Sequence, residues 1–247
     1  MLRLGDARRI LVVEAHPDDA EIGVGATLAR LARAGAAIEI VSLTGGENGT
    51  GTAAVAPDDV RSQREREAKA AAAVLGAEAV RLLPFEDMRL ADTPETRASV
   101  ITEIRRVRPD TVFALDPSLA DEGHPDHIAA GRIALAAAIF AGFPRAPKAD
   151  GEPWRCARVV LYATDRPNLV FEVSSTWSLK WEAVSLHASQ FPPAELEPLR
   201  AAVTVAARRF ARRARRRLAE PLRLLAPYQL HMYALPIAGD GAGLMSE

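Results

Sequence analysis

The chain of 247 residues contains a single cysteine, Cys156. An internal disulfide framework and a cysteine-rich zinc site are therefore excluded, and one free thiol fits a reducing compartment. Lysine is nearly absent, occurring only as Lys69, Lys148 and Lys180. Arginine carries the rest of the positive charge, which reads as compositional bias and not as function. The formal net charge is −1, so no global field selects nucleic acid or a membrane surface. No apolar run approaches the roughly 20 residues that span a bilayer. The first residues lack a basic segment followed by an apolar core and a cleavage site. These absences predict a cytoplasmic protein with no membrane span and no nucleic-acid partner. No repeat or domain boundary is visible, so a single domain over 1–247 is expected. Homo-oligomer formation is left open.

Hydrophobic residues make up 49% of the chain, enough for a sizeable core. Short apolar runs alternate with helical patterns. Strands are expected near Ile10–Val13, Ile38–Leu43, Ala79–Leu83, Thr111–Leu115, Val159–Ala163 and Leu169–Val173. Helices are expected near Asp19–Ala34, Pro57–Leu75, Pro94–Val107, Pro125–Phe140 and Thr176–Ser189. A last helical segment is expected over 194–235, and the tail from Ala238 reads as frayed. This alternation predicts an α/β fold, a mostly parallel sheet with helices on both faces. The glycine-rich stretch from Thr44 to Gly51 reads as a loop.

Polar chemistry concentrates at two strand ends. His16-Pro17-Asp18-Asp19 follows the first strand, and His124-Pro125-Asp126-His127 follows the fourth. In open α/β sheets that edge binds ligands. One such turn could be a helix cap alone; two at equivalent places point to a metal. His and Asp ligands suit Zn²⁺ or a similar divalent ion, and a catalytic site needs three of them. His16, Asp19 and His127 could supply the three. His124 and His127 share a helical face, so both could bind, or one could act on the substrate. Asp18 is the natural general base. The remaining histidine could stabilise an oxyanion and protonate a leaving amine, with Asp126 orienting it through its other ring nitrogen.

The motifs at 16–21 and 124–127 together resemble the LmbE-like deacetylases, the PIG-L family. Weaker matches follow in order at Thr44–Gly49, Arg64-x-x-Glu67, Pro84–Asp87, Arg108–Asp110, and Lys180 through His187-x-Ser189-Gln190. The resemblance spans about residues 9–191. It implies a Rossmann-like fold and metal-dependent hydrolysis of an N-acetyl group, usually on a glucosamine conjugate. It implies metal ligation by His16, Asp19 and His127, a general base at Asp18, and an oxyanion stabiliser and acid at His124. Arg64, Asp87 and Glu47 become expected substrate contacts. One departure stands out. Some relatives carry a tyrosine just before the second motif, where this chain has Asp121-Glu122-Gly123. The loop at Asn48-Gly49-Thr50 and the run Arg166-Pro167-Asn168 resemble bacterial members acting on GlcNAc-malate in bacillithiol synthesis.

Other readings are kept beside this one. An amidase of the same superfamily, cleaving a thiol conjugate or another N-acyl group, would use the same metal chemistry. A nucleotide-binding or regulatory module would need phosphate-binding glycines. Gly23-x-Gly25 begins such a pattern, but Leu28 stands at the third glycine position. Glu21, His187 and His231 read as structural, with His187 packed and hydrogen-bonded. The seven arginines from Arg208 to Arg217 read as a solvated helix face.

Overall fold

The computed structural model describes residues 2–49, 54–146, 148–231 and 245–246. Thr50 and Gly51 of the glycine-rich loop lie outside the described residues, as does most of the tail from Ala238.

Strand β1 (Arg9–Glu14) is the centre of the sheet, buried along all but its first residue. It pairs in parallel with β2 (Ala37–Thr44) on one side and β4 (Thr111–Leu115) on the other. Beyond β2 lies β3 (Ala79–Phe85), and beyond β4 lies β5 (Arg158–Tyr162), both also parallel. Burial on both faces explains why β1, β4 and β5 are largely continuous apolar runs. The far side adds β6 (Leu169–Glu172), β7 (Ala219–Leu225) and the two-residue β8 (Met245–Ser246), giving the order β3-β2-β1-β4-β5-β7-β6-β8. β7 runs antiparallel to both β5 and β6.

The helices are α1 (Asp19–Arg33), α2 (Pro57–Leu75), α3 (Pro94–Val107), α4 (Pro125–Phe140), α5 (Trp177–Ser185) and α6 (Pro193–Arg213). α1, α2 and α5 pack on one another, and α3 packs on α4. The expected α/β architecture is therefore present, with helices in two layers around a mostly parallel sheet. The expected helical segment over 194–235 is not one element. It is α6 followed by β7. Pro221 inside that strand, and the arginine run before it, hide the alternation of buried positions that marks β structure. Pro221 is tolerated because the β5 ladder covers only Arg223–Leu225 and ends before it.

Gly23 and Gly25 have a packing explanation. A Cβ at Gly23 would collide with the buried Tyr162 ring, and one at Gly25 would press on Lys180. Lys180 is itself buried and pairs with Glu220 Oε1 at 2.7 Å. Cys156 is buried too, and burial pushes its thiol up to about 11, so it is a packing residue.

The order of the strands reverses between β1 and β4, the switch point of the sheet. Loops after β1, β2, β3 and β4 all emerge at this one edge. That geometry collects residues from four distant stretches into one cleft.

Candidate active site

The first motif turns directly from β1 into α1. Asp18 is the residue before the helix and holds φ 130°, a region L residues rarely enter. Such strain persists only where the surroundings enforce it. Arg64 of α2 does so. It donates to Pro17 O at 2.7 Å, to Asp18 Oδ2 at 2.9 Å and to Gly46 O at 2.8 Å. Below the turn, Glu14 accepts from Ala20 N–H at 2.9 Å and from Ser42 Oγ at 2.5 Å. A buried acid so placed ties the start of α1 to β2.

Asp19 is fixed differently. Its Oδ2 accepts the N–H groups of Ala15 (3.1 Å) and His16 (2.9 Å). Oδ1 is left facing His127 Nε2 at 3.2 Å. His16 Nε2 lies 3.1 Å from Asp87 Oδ1, yet the pair lacks hydrogen-bond geometry and Nε2 is buried without a partner. One ligand atom each from His16, Asp19 and His127 can be chosen so that all lie within 4.8 Å of one another. A second set, His16, His124 and Asp126, meets the same distance. The first fits a cation better. Both carboxylate oxygens of Asp126 already accept backbone N–H groups, from Met88 (2.7 Å) and Leu90 (3.1 Å). His124 Nδ1 likewise accepts from Asp126 N–H at 3.2 Å.

These contacts correct one expectation. The carboxylate of Asp126 does not orient His124; it anchors the turn after Asp87, where Met88 holds φ 64°. The link to His124 runs through the Asp126 backbone, a cap at the start of α4. Because Nδ1 accepts there, the proton of the neutral His124 ring sits on Nε2. Burial, with the nearby His16 and His127, lowers the His124 pKa. His124 is therefore a neutral donor, not a standing imidazolium.

The other ionisations form a coherent set. Burial pushes the Asp18 carboxyl up to about 7, against the pull of Arg64. Burial also opposes the Asp19 carboxylate, but the hydrogen bond from His127 and the neighbouring His16 hold its pKa below the usual value. Burial would lower His127, yet its contacts with Asp19 and Glu122 raise it to about 9. A ring that strongly favours positive charge between two carboxylates marks a place where a bound cation would be stabilised.

The cleft has a volume of about 310 Å³. Arg64 and Asp87 line it, with His16, Asp18, Asp19, His124 and His127. Glu47 does not. It accepts from Asp87 N–H at 3.1 Å and lies 3.6 Å from Arg61, so it braces the loop that carries Asp87. Two residues that the sequence reading left without a role stand close to the chemistry. Glu122 contacts both histidines of the second motif. Gln190 lines the cleft, held by Ser189, which in turn bonds Glu67 of α2. His187 is buried as expected, but neither ring nitrogen has a hydrogen-bond partner, and Glu21 Oε2 stands 3.8 Å away.

The chain is similar to known deacetylases. The diacetylchitobiose deacetylase of Thermococcus kodakarensis is 37% identical over 191 residues, covering 76% of this chain and 72% of that protein. A 1D-myo-inositol 2-acetamido-2-deoxy-alpha-D-glucopyranoside deacetylase of Rhodococcus erythropolis is 33% identical over 204 residues, covering 70% of this chain and 69% of its own length. The structure of N,N'-diacetylchitobiose deacetylase from Pyrococcus horikoshii, complexed with its inhibitor MPG, superposes with a TM-score of 0.85 at 28% identity, over 94% of this chain and 88% of that one. The model of the family described as PIG-L, GlcNAc-PI de-N-acetylase, matches residues 11–138, from β1 through most of α4. The chain belongs to this family.

Proposed function

We propose that this protein hydrolyses the N-acetyl group of a small GlcNAc conjugate at a divalent metal held by His16, Asp19 and His127, with zinc as the native ion. As a family member the chain is a deacetylase of N-acetylglucosamine-type small molecules. The observation that carries the metal reading is the three-residue donor set, which has a poised carboxyl and a neutral imidazole beside it. Bound there, a divalent ion would polarise the acetyl carbonyl and lower the pKa of water. Asp18, with a pKa near 7, takes a proton from the attacking water. His124 offers its Nε2–H to the developing oxyanion. A neutral imidazole is too weak an acid to protonate the amine, so the proton gained by Asp18 is the one that leaves with it. Arg64 keeps Asp18 in reach throughout and, with Asp87, borders the space for the sugar.

A cleft of about 310 Å³ is at the small end of ligand pockets. It suits one N-acetylated ring, with the rest of the conjugate outside. We read the whole chain as one catalytic domain acting in the cytosol on a free small molecule. Among the described residues no helix is long and apolar enough to cross a membrane. The test is a screen of N-acetyl compounds for release of free amine by the zinc-loaded protein. GlcNAc-inositol, diacetylchitobiose and GlcNAc-malate would be assayed beside N-acyl thiol conjugates. Turnover of the sugar conjugates is expected. Turnover of thiol conjugates alone would favour the amidase reading, and nucleotide affinity without turnover would overturn both.

A further inference from the structure

The acidic run before the second motif has a structural purpose of its own. Glu122 lies in the loop between β4 and α4, and its two carboxylate oxygens are used separately. Oε1 accepts the backbone N–H of His124 at 2.8 Å. Oε2 contacts His127 Nδ1 at 3.0 Å. A carboxylate that takes the backbone N–H of His124 on one oxygen offers an acceptor to the ring on the other, which leaves Nδ1 of His127 to carry the proton. That fixes the ring with Nε2 turned toward Asp19 Oδ1, 3.2 Å away. The same residue thereby fixes the backbone of His124 at the start of α4. Asp121, one residue earlier, is exposed and has no contact with either ring among the described residues.

We propose that Glu122 is the positioning residue of the metal centre. It holds His127 in the single tautomer and orientation that present Nε2 to a divalent cation, and it aligns His124 by the same group. The inference rests on the metal reading given above. Only a carboxylate meets both demands, because the two partners are both donors. A glutamine has one acceptor oxygen and would set an N–H₂ against one of the two N–H groups. Hydrogen-bond partners behind a metal-ligating histidine typically change metal affinity or activity ~10–100-fold when lost.

The test measures zinc affinity directly, by competition with a chromophoric chelator, on metal-stripped protein. Wild type, Glu122→Gln, Glu122→Ala and Asp121→Asn are compared. Both Glu122 variants are expected to bind zinc ~10–100-fold more weakly. Asp121→Asn, which removes the same charge one residue away, should bind like wild type. Melting of the metal-free variants should match wild type, which separates positioning from fold. Long-range ¹H–¹⁵N spectra of the zinc-loaded wild type should show His127 protonated at Nδ1, and that signature should be lost or mixed in Glu122→Ala. Equal zinc affinity in all four proteins would overturn the role of Glu122 and leave the metal site standing. Equal weakening by Asp121→Asn would reduce the effect to net charge and also overturn it. Failure of wild type to bind zinc at all would instead sink the metal reading.

Discussion

The two histidine motifs sit at equivalent strand ends but are built to different standards of rigidity. The first is enclosed. His16 and Asp18 are each 7% exposed, and Asp19 receives two backbone N–H groups. Arg64 braces its strained backbone from a neighbouring helix. The second opens toward solvent. The His127 side chain is 23% exposed, and the ring is held between Asp19 and a carboxylate from a flanking loop. The difference assigns the work. The first motif provides a fixed frame for charge, and the second adds groups whose alignment depends on local hydrogen bonds. Damage to the first should abolish the centre, whereas damage to the second should depend on the residue, complete at the ligand His127 and partial at His124.

The largest effects should follow from the frame. His16→Ala or Asp19→Ala removes one of three ligands from a buried site, so metal content by elemental analysis should fall to background and turnover with it. His127→Ala should lose metal as well. Retention of stoichiometric metal by both histidine variants would break this ligand set. Next comes Asp18→Asn, which keeps the shape and removes the proton acceptor. Turnover should drop ~10²–10⁴-fold with metal retained. Near-normal turnover by the metal-loaded variant would place the base elsewhere.

His124→Ala tests the partial side of the comparison. It should keep its metal and much of its substrate affinity, while kcat falls ~10²–10³-fold through loss of one oxyanion donor. Metal loss in this variant would make His124 a ligand and favour the alternative set with Asp126. A kcat close to wild type would show that the oxyanion is held by other groups.

Much of this arrangement was legible in the sequence. The four helices at Pro57–Leu75, Pro94–Val107, Pro125–Phe140 and, within a residue, Asp19–Arg33 begin and end where proline, glycine or an acidic first turn predicts. The burial of β1 and β4 follows from their unbroken apolar runs. Three things were not legible, each for a physical reason. β7 carries a proline and two charged residues, Glu220 and Arg223, at buried or paired positions, so its period is obscured. The partner of Asp126 is decided by the turn at Met88, 38 residues away in sequence, which no local spacing encodes. Glu122 and Glu47 are acids in loops, and which of them reaches a histidine depends on how each loop folds back. The departure from tyrosine at Asp121–Gly123 was visible, but its consequence was not.

The smallest effect expected concerns the buried layer behind the first motif, which the second motif lacks. Burial and the charge of Arg64 lower His187 to about 4. Its folded pKa is thus below the ordinary value near 6.5, and the unfolded chain binds the proton more readily. The stability gained by keeping this ring neutral is present above pH 6.5 and is lost as pH falls through about 4. The size is roughly 3 kcal/mol, at about 1.4 kcal/mol per pKa unit. Glu21, 3.8 Å away, works in the opposite direction. Burial raises it to about 8, so its contribution is full below about pH 4.5 and lost as pH rises through 8. The two slopes oppose each other between about pH 4.5 and 6.5, and a single unfolding curve of wild type would hide both. The difference between wild type and His187→Gln isolates the histidine, because Glu21 titrates in each. Urea unfolding at pH 7 and at pH 4 should show that difference shrinking by roughly 3 kcal/mol toward acid, with the variant relatively more acid-resistant. A difference independent of pH would mean that His187 shares its proton with Glu21 as a charged pair, and the layer behind the first motif would then be ionic and not neutral.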